Sequence, residues 1–147
     1  MNRACIVMLS AHLEGFIEDL LREASDELLS DQVESIEVFQ KEALSRFSNP
    51  TPEAIDTLFG RMGFEKITFG LSWRKASNES IRKRLREYVE LRNRIAHGVQ
   101  IKVTKPKAQA FKEFLELFAD NLDRVVADRI GELTSLTPWG YDKDEES

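Results

Sequence analysis

The spacing of apolar residues restricts the fold of this 147-residue chain more than any other feature. In two long segments, apolar side chains recur every three or four residues, which is the pattern of an amphipathic helix with one buried stripe. The first stripe, in a helix predicted over residues 1–30, comprises Ile6, Leu9, Leu13, Phe16, Leu20, Ala24 and Leu28. The second comprises Phe111, Leu115, Phe118, Leu122, Val125 or Val126, and Ile130 or Leu133. Because each stripe needs another apolar face to pack on, an all-α fold is predicted.

The region between the long helices is predicted to contain three shorter ones. A weaker helical pattern covers residues 33–47 and is broken by the prolines on either side of Thr51. Thr51 has the side chain of a helix N-cap and is followed by proline, and Gly63 is well placed to end this short third helix. Residues 64–77 show no clear period and are predicted to form a structured loop, with a short strand at Ile67–Gly70 as the alternative.

The fourth and fifth helices have recognisable ends. The predicted bounds are Ser77 or Asn78 to Ala96 or His97 for the fourth, with Gly98 as its stop, and a start near Lys105–Pro106 for the fifth. The chain is therefore predicted to be an up-and-down bundle of four to five helices in one domain, residues 1–137. Residues 138–147 are predicted to form a disordered acidic tail.

Composition excludes several kinds of protein. The soft metal ligands are Cys5, His12 and His97 alone, too few for a closed zinc site of Cys and His in one chain, so no metal or cofactor is predicted. No apolar run approaches the roughly 20 residues of a membrane span, and no export signal is recognisable at the amino end. Since one cysteine cannot form an internal disulfide, a cytoplasmic location is expected.

The charge of the chain is unevenly distributed. Its net charge is −5, yet residues 74–107 hold eleven basic residues and three acidic ones, a net charge of +8. The remaining residues carry −13. A basic face on an acidic body is typical of a protein that holds a polyanion on one side. The alternative is a solvated helix face whose cations pair with neighbouring glutamates.

Arg92 interrupts the apolar stripe of the fourth helix. At about 100° per residue it lies about 20° from Ile81, in the middle of that stripe. The stripe comprises Ile81, Leu85, Tyr88 and Ile95, with Val89 and Ala96 beside it. A guanidinium on a buried face is costly unless an anion pairs with it. The candidates for that anion are a carboxylate such as Glu14, a partner chain and a ligand phosphate.

His97 follows at the predicted end of the same helix. Its ordinary pKa suits proton transfer at neutral pH, while a histidine at a helix carboxyl end also stabilises the helix dipole. Asn93 lies on the same side of the helix as His97 and could orient the imidazole or a phosphate. Arg92 and His97 are about 140° apart on an ideal helix. Either the helix ends before His97, or a second chain completes the site.

The string Leu91-Arg92-Asn93-Arg94-Ile95-Ala96-His97-Gly98 resembles the hallmark of the HEPN superfamily: an Arg, a polar residue that is usually Asn, three to five further residues, then His. Residues 10–17, Ser-Ala-His-Leu-Glu-Gly-Phe-Ile, are similar to the first-helix segment of the RiboL-PSP group and of one related HEPN group. Residues 69–72 are similar to the short linker that precedes the motif helix there.

This resemblance implies a metal-independent endoribonuclease that acts as a homodimer, with the two motifs meeting in a cleft between protomers. Such proteins serve as toxins, anti-phage effectors or RNA-processing modules, so a cognate antitoxin is a possible partner. By this resemblance Arg92 and His97 would be the catalytic pair and Asn93 a supporting residue. Glu14 would also be a supporting residue, although its match to the family is less specific. Val99 stands where toxins modified by a partner nucleotidyltransferase often have tyrosine, so that mode of regulation is not expected.

Metal-free cleavage of RNA by its own 2′-hydroxyl needs a proton acceptor, a proton donor and charge stabilisation at phosphorus. One chain could supply two histidines only by pairing His97 with His12, whereas a two-fold dimer supplies His97 twice. His12 is therefore interpreted as structural, with a supporting position behind the reacting groups as the alternative. The predicted RNA contacts are Arg82, Arg86, Arg94 and Lys102. Two alternatives remain open: a non-catalytic HEPN-like module that binds RNA or protein, and a helical immunity protein that binds only protein.

Overall fold

A computed structural model of the chain describes residues 2–29 and 33–135. These residues form five α-helices and no strand, so the all-α prediction is confirmed. The helices are α1 (Asn2–Leu28), α2 (Val33–Ser45), α3 (Pro52–Gly60), α4 (Asn78–Ala96) and α5 (Lys105–Ser135), with a 3₁₀ helix at Ile67–Gly70 between α3 and α4. The predicted domain end at residue 137 and the predicted tail at 138–147 lie outside the described residues.

The helix starts follow from their capping residues. Thr51 caps α3 and Ser77 caps α4, each hydroxyl accepting a hydrogen bond from the amide three residues further along, at 3.1 Å and 3.2 Å. The predicted N-cap at Thr51 is thus confirmed, and of the two candidates at the start of α4 the structure selects Ser77. Gly63 lies just beyond α3 with φ 89°, in the left-handed region that ends a helix.

The alternative prediction of a strand at Ile67–Gly70 is wrong. Side chains of α3 and α4 form hydrogen bonds with the backbone of this segment. The Asp56 carboxylate accepts hydrogen bonds from the Thr68 amide at 2.7 Å and the Thr68 hydroxyl at 2.9 Å. The Asn78 side-chain amide donates to the carbonyls of Thr68 and Leu71, both at 2.8 Å. A strand would need these bonds from a neighbouring strand. The 3₁₀ helix is instead fastened to α3 and to the start of α4.

The core lies between α1 and α5, which form the most extensive helix pair of the described residues. α2 and α4 pack on α1, while the 3₁₀ helix contacts α3, α4 and α5. Aromatic rings fill the space near α5: Tyr88 of α4 stacks on Phe111 with ring centres 4.2 Å apart. The fully buried phenylalanines are Phe59, Phe64, Phe111, Phe114 and Phe118. This packing holds α4 against α1 and so positions the carboxyl end of α4.

Candidate active site

The carboxyl end of α4 is closed by a Schellman motif. The His97 amide donates to the Asn93 carbonyl at 2.9 Å, so helical bonding continues through His97. The Val99 amide then donates to the Arg94 carbonyl and the Gly98 amide to the Ile95 carbonyl, both at 3.0 Å. The helix itself ends at Ala96, within the predicted bounds, and His97 is its C-cap, with φ −87° and ψ 11°.

Gly98 determines this ending, because its φ of 80° is strained for any residue with a Cβ. Nothing lies within 4 Å of the Cβ that another residue would place there, so only backbone strain opposes a substitution. We expect Gly98→Ala to lower the free energy of unfolding by about 1–2 kcal/mol, measured by urea unfolding.

Gly60 provides the matched control for Gly98→Ala. It is the last residue of α3, has no positive φ, and also has open space around its Cβ position. Because alanine is the better helix former, Gly60→Ala is expected to keep or slightly raise the stability. An equal loss of stability in both variants would contradict the role assigned to Gly98.

Arg92 is half-buried, and no carboxylate in residues 2–29 and 33–135 pairs with it. Its Nη1 donates to the Asn93 Oδ1 at 3.0 Å and to the Asn49 Oδ1 at 3.5 Å. Among the described residues no acidic oxygen lies within 4.0 Å of its guanidinium, and Glu14, half-buried on α1, forms no ion pair. Among the described residues, therefore, neither Glu14 nor another carboxylate is the anion that pairs with Arg92. A partner chain or a ligand phosphate remains.

Asn49 is a site residue that sequence reasoning missed. It lies between α2 and α3 with φ 49°, a left-handed conformation that asparagine tolerates better than most residues. The signal available in the sequence was its place directly before Pro50, in the turn between two helices. That position predicts a turn, but it does not reveal that the turn meets α4.

The apolar stripe of α4 is only partly as predicted. Its amino-terminal half is buried, whereas Tyr88 and Ile95 are half-buried and Ala96 is exposed. Leu91, absent from the predicted stripe, is buried at 8% exposure. Arg92 thus lies where burial fades towards the end of the helix. A long side chain at such a position buries its stem and brings its charged head near the surface.

Asn93 acts on Arg92 rather than on His97 within one chain, since its side-chain oxygen accepts the Arg92 hydrogen bond. The His97 side chain is exposed, and no hydrogen bond to it is present among the described residues. Its imidazole is therefore accessible for proton transfer.

His12 and Glu14 point to different sides of α1. They are two residues apart, which places them about 200° from each other around the helix. His12 is exposed and lines an apolar groove of about 250 Å³ between α1 and α5, next to Phe16 and Leu115. No hydrogen bond joins His12 to His97. The lining of the groove comes from α1 and α5 and not from the motif helix.

Two of the four predicted RNA contacts are engaged within the protein. The Arg82 guanidinium stacks 3.7 Å from the centre of the Phe69 ring and lies 3.9 Å from the Asp56 carboxylate, with 15% of its side chain exposed. Arg86 pairs with Glu53 of α3, and this hydrogen bond holds the pKa of the Glu53 carboxyl below its ordinary value. These contacts join α4 to α3 and to the 3₁₀ helix; Arg82 is largely buried in them, whereas 44% of the Arg86 side chain is exposed.

The other two predicted contacts, Arg94 and Lys102, are exposed, and no ion pair involves either within the described part of the chain. Arg94 lies towards the carboxyl end of α4, and Lys102 lies in the connection that follows it. This is the end that carries Arg92 and His97. A polyanion attracted to these two cations would lie near the motif.

Two searches of residues 2–29 and 33–135 address other kinds of site. No helix there is both long and apolar enough to cross a membrane. No three side chains among His, Cys, Asp and Glu in the same ranges come close enough together to hold a metal ion.

A five-helix bundle whose fourth helix presents an Arg-Asn pair and ends on a histidine has the architecture of a HEPN domain. The family model of RiboL-PSP-HEPN matches residues 1–128, and the chain belongs to that family. The resemblance inferred from the motif is thereby confirmed. Comparison with curated proteins and with solved structures gave no significant match.

Proposed function

We propose that this protein is a metal-independent endoribonuclease whose active site forms between two copies of the chain. Membership of a HEPN family suggests RNA cleavage. The observation that carries the proposal is Arg92, a half-buried cation whose only partners among the described residues are the neutral amide oxygens of Asn49 and Asn93. A charge held in this way lacks an anion, and RNA has one at every phosphate.

The hydrogen bonds of Arg92 leave its other donors available. Both bonds use Nη1, while Nε and Nη2 have no acceptor among the described residues. Those two nitrogens form the edge of the guanidinium that binds two phosphate oxygens at once. Asn49 and Asn93 would hold the group in place from the side while that edge receives the scissile phosphate. Asn93 is thus a positioning residue for Arg92.

His97 would carry the protons of the reaction. When the 2′-hydroxyl attacks phosphorus, one base accepts its proton, one acid donates a proton to the leaving 5′-oxygen, and a cation stabilises the charge on the phosphate. The 140° between Arg92 and His97 on a regular helix favours a site shared by two copies. A two-fold dimer would supply one His97 as base and the other as acid, with both Arg92 side chains at the phosphate.

The biological setting we propose is that of a toxin or anti-phage effector in the cytoplasm, restrained by an antitoxin protein. Of the predicted RNA contacts, Arg94 and Lys102 retain that role, and Glu14 would act near the shared cleft as a supporting carboxylate. Val99, 40% exposed just beyond the motif, offers apolar surface to the second copy. The alternative is a non-catalytic HEPN module that binds RNA or protein through the same surface.

The test is the chemistry of the products. Purified protein is expected to cleave total RNA in the presence of EDTA and to leave a 2′,3′-cyclic phosphate, detected by end-group analysis of the fragments. RNA with 2′-O-methyl groups is expected to resist, because it lacks the attacking hydroxyl. A His97→Ala preparation purified in parallel controls for contaminating ribonuclease. Loss of activity on chelation would refute the mechanism, and RNA binding without cleavage would favour the alternative.

A further inference from the structure

An open pocket of about 430 Å³ lies where the start of α1 meets the connection between α4 and α5. Its lining consists of Asn2, Arg3, Gln100, Ile101, Lys102 and Val103. Of these residues, only Lys102 is among the predicted RNA contacts. The pocket is thus a separate feature from the Arg92 site. It is formed by two segments of the chain that are at least 97 positions apart.

Two long-range hydrogen bonds build the pocket. The Asn2 side-chain amide donates to the Val103 carbonyl at 2.8 Å, and the Arg3 Nη1 donates to the Gln100 Oε1 at 3.1 Å. They attach the connection to the first turn of α1. The lining is therefore held in place by the fold and does not depend on a bound ligand.

The lining has the chemistry of an anion site. Arg3 and Lys102 are cations, and no carboxylate is among the lining residues. Both side chains are exposed, and no ion pair involves either within the described ranges. Ile101 is half-buried and Val103 buried, so the pocket also has apolar surface against which a sugar or base can pack. Phosphate, sugar and base together describe a nucleotide.

The pocket adjoins the catalytic motif along the chain. Only Gly98 and Val99 separate His97 from Gln100. Because consecutive Cα atoms are about 3.8 Å apart, the Cα atoms of His97 and Gln100 are at most about 11 Å apart. A strand of RNA with one phosphate at the motif would therefore pass close to the pocket.

We propose that this pocket binds a nucleotide of the RNA strand that flanks the cleaved bond, with Arg3 and Lys102 on its phosphate and Gln100 beside it. The inference rests on the proposed ribonuclease function and adds a substrate-binding site to it. Since the pocket lies outside the reacting groups, its contribution is to affinity: it lowers KM for RNA that is long enough to reach it.

The experiment measures binding of a fluorescent 2′-O-methyl RNA oligonucleotide to the wild-type protein by anisotropy at several salt concentrations. Lys102→Ala is expected to raise Kd about tenfold, as loss of a charged hydrogen bond does. It should also reduce the slope of log Kd against log salt by about 0.7, the value for one phosphate contact on a single strand. Lys102 makes no hydrogen bond within the described protein, so this variant keeps the fold.

Lys41→Ala is the matched control: Lys41 is an exposed lysine on α2, and its loss changes the net charge equally. It is expected to leave Kd and the salt slope almost unchanged. If Lys102→Ala behaves like Lys41→Ala while the wild type cleaves RNA, the pocket inference fails together with the RNA contact assigned to Lys102, and the proposed ribonuclease activity stands. If Lys102→Ala weakens binding and reduces the slope as expected but the wild type never cleaves RNA, the proposed function fails and the binding site stands.

Discussion

Replacement of Arg92 by lysine is expected to lower kcat for RNA cleavage about 100- to 1,000-fold, the range for loss of one preorganised donor in a transition state. Lysine keeps the charge and most of the half-buried stem, but its single ammonium cannot contact Asn93, Asn49 and two phosphate oxygens in one plane. The measurement is a single-turnover assay with a labelled oligoribonucleotide, together with circular dichroism and thermal unfolding.

Arg61→Lys is the control for Arg92→Lys. Arg61 is exposed, lies just beyond α3 and has no side-chain partner in the described structure, so the same chemical change there is expected to leave kcat unaltered. If Arg92→Lys cleaves within threefold of the wild-type rate, Arg92 acts as a simple charge. The bidentate role proposed for it is then wrong.

In mixtures of wild-type and His97→Ala protein, the remaining activity is expected to be proportional to the square of the wild-type fraction. The reason is that the proposed cleft needs both His97 side chains, one as acid and one as base, so a dimer with one altered copy is inactive. After subunit exchange, an equal mixture would retain about a quarter of the full rate. His97→Ala alone is expected to lose about 10²- to 10⁴-fold in kcat.

The control for this experiment is the same mixing series with Lys41→Ala, which should keep its activity at every ratio. Light scattering measures whether both variants are dimers, so that a loss of assembly is distinguished from a loss of the catalytic group. A linear decline with the wild-type fraction would mean that each chain carries a complete site, and the shared cleft would be refuted.

The location of the candidate site could be predicted from the sequence, but its geometry could not. The Arg-Asn-x-x-x-His string and the terminal Gly98 place the motif at the end of a helix, and both are local features. That Arg92 has no carboxylate partner, and that Asn49 is its second acceptor, follow from packing between segments 43 residues apart. The same limit applies to Arg86, whose pairing with Glu53 spans 33 residues.

The sequence alone determined the helices of this protein, their caps and the left-handed residue after His97, because hydrogen bonds between residues three to five apart and the φ preferences of single residues decide them. Only the tertiary structure decided which arginines of α4 pair with carboxylates among the described residues and where Arg3 and Gln100 meet. A helical pattern reports the face on which a side chain lies, but not the distant segment that packs there. Arg82, Arg86 and Arg92 lie on one basic helix. The distant segment that packs against each of them gives Arg82 and Arg86 carboxylate partners and gives Arg92, for which a catalytic role is proposed, the neutral Asn49.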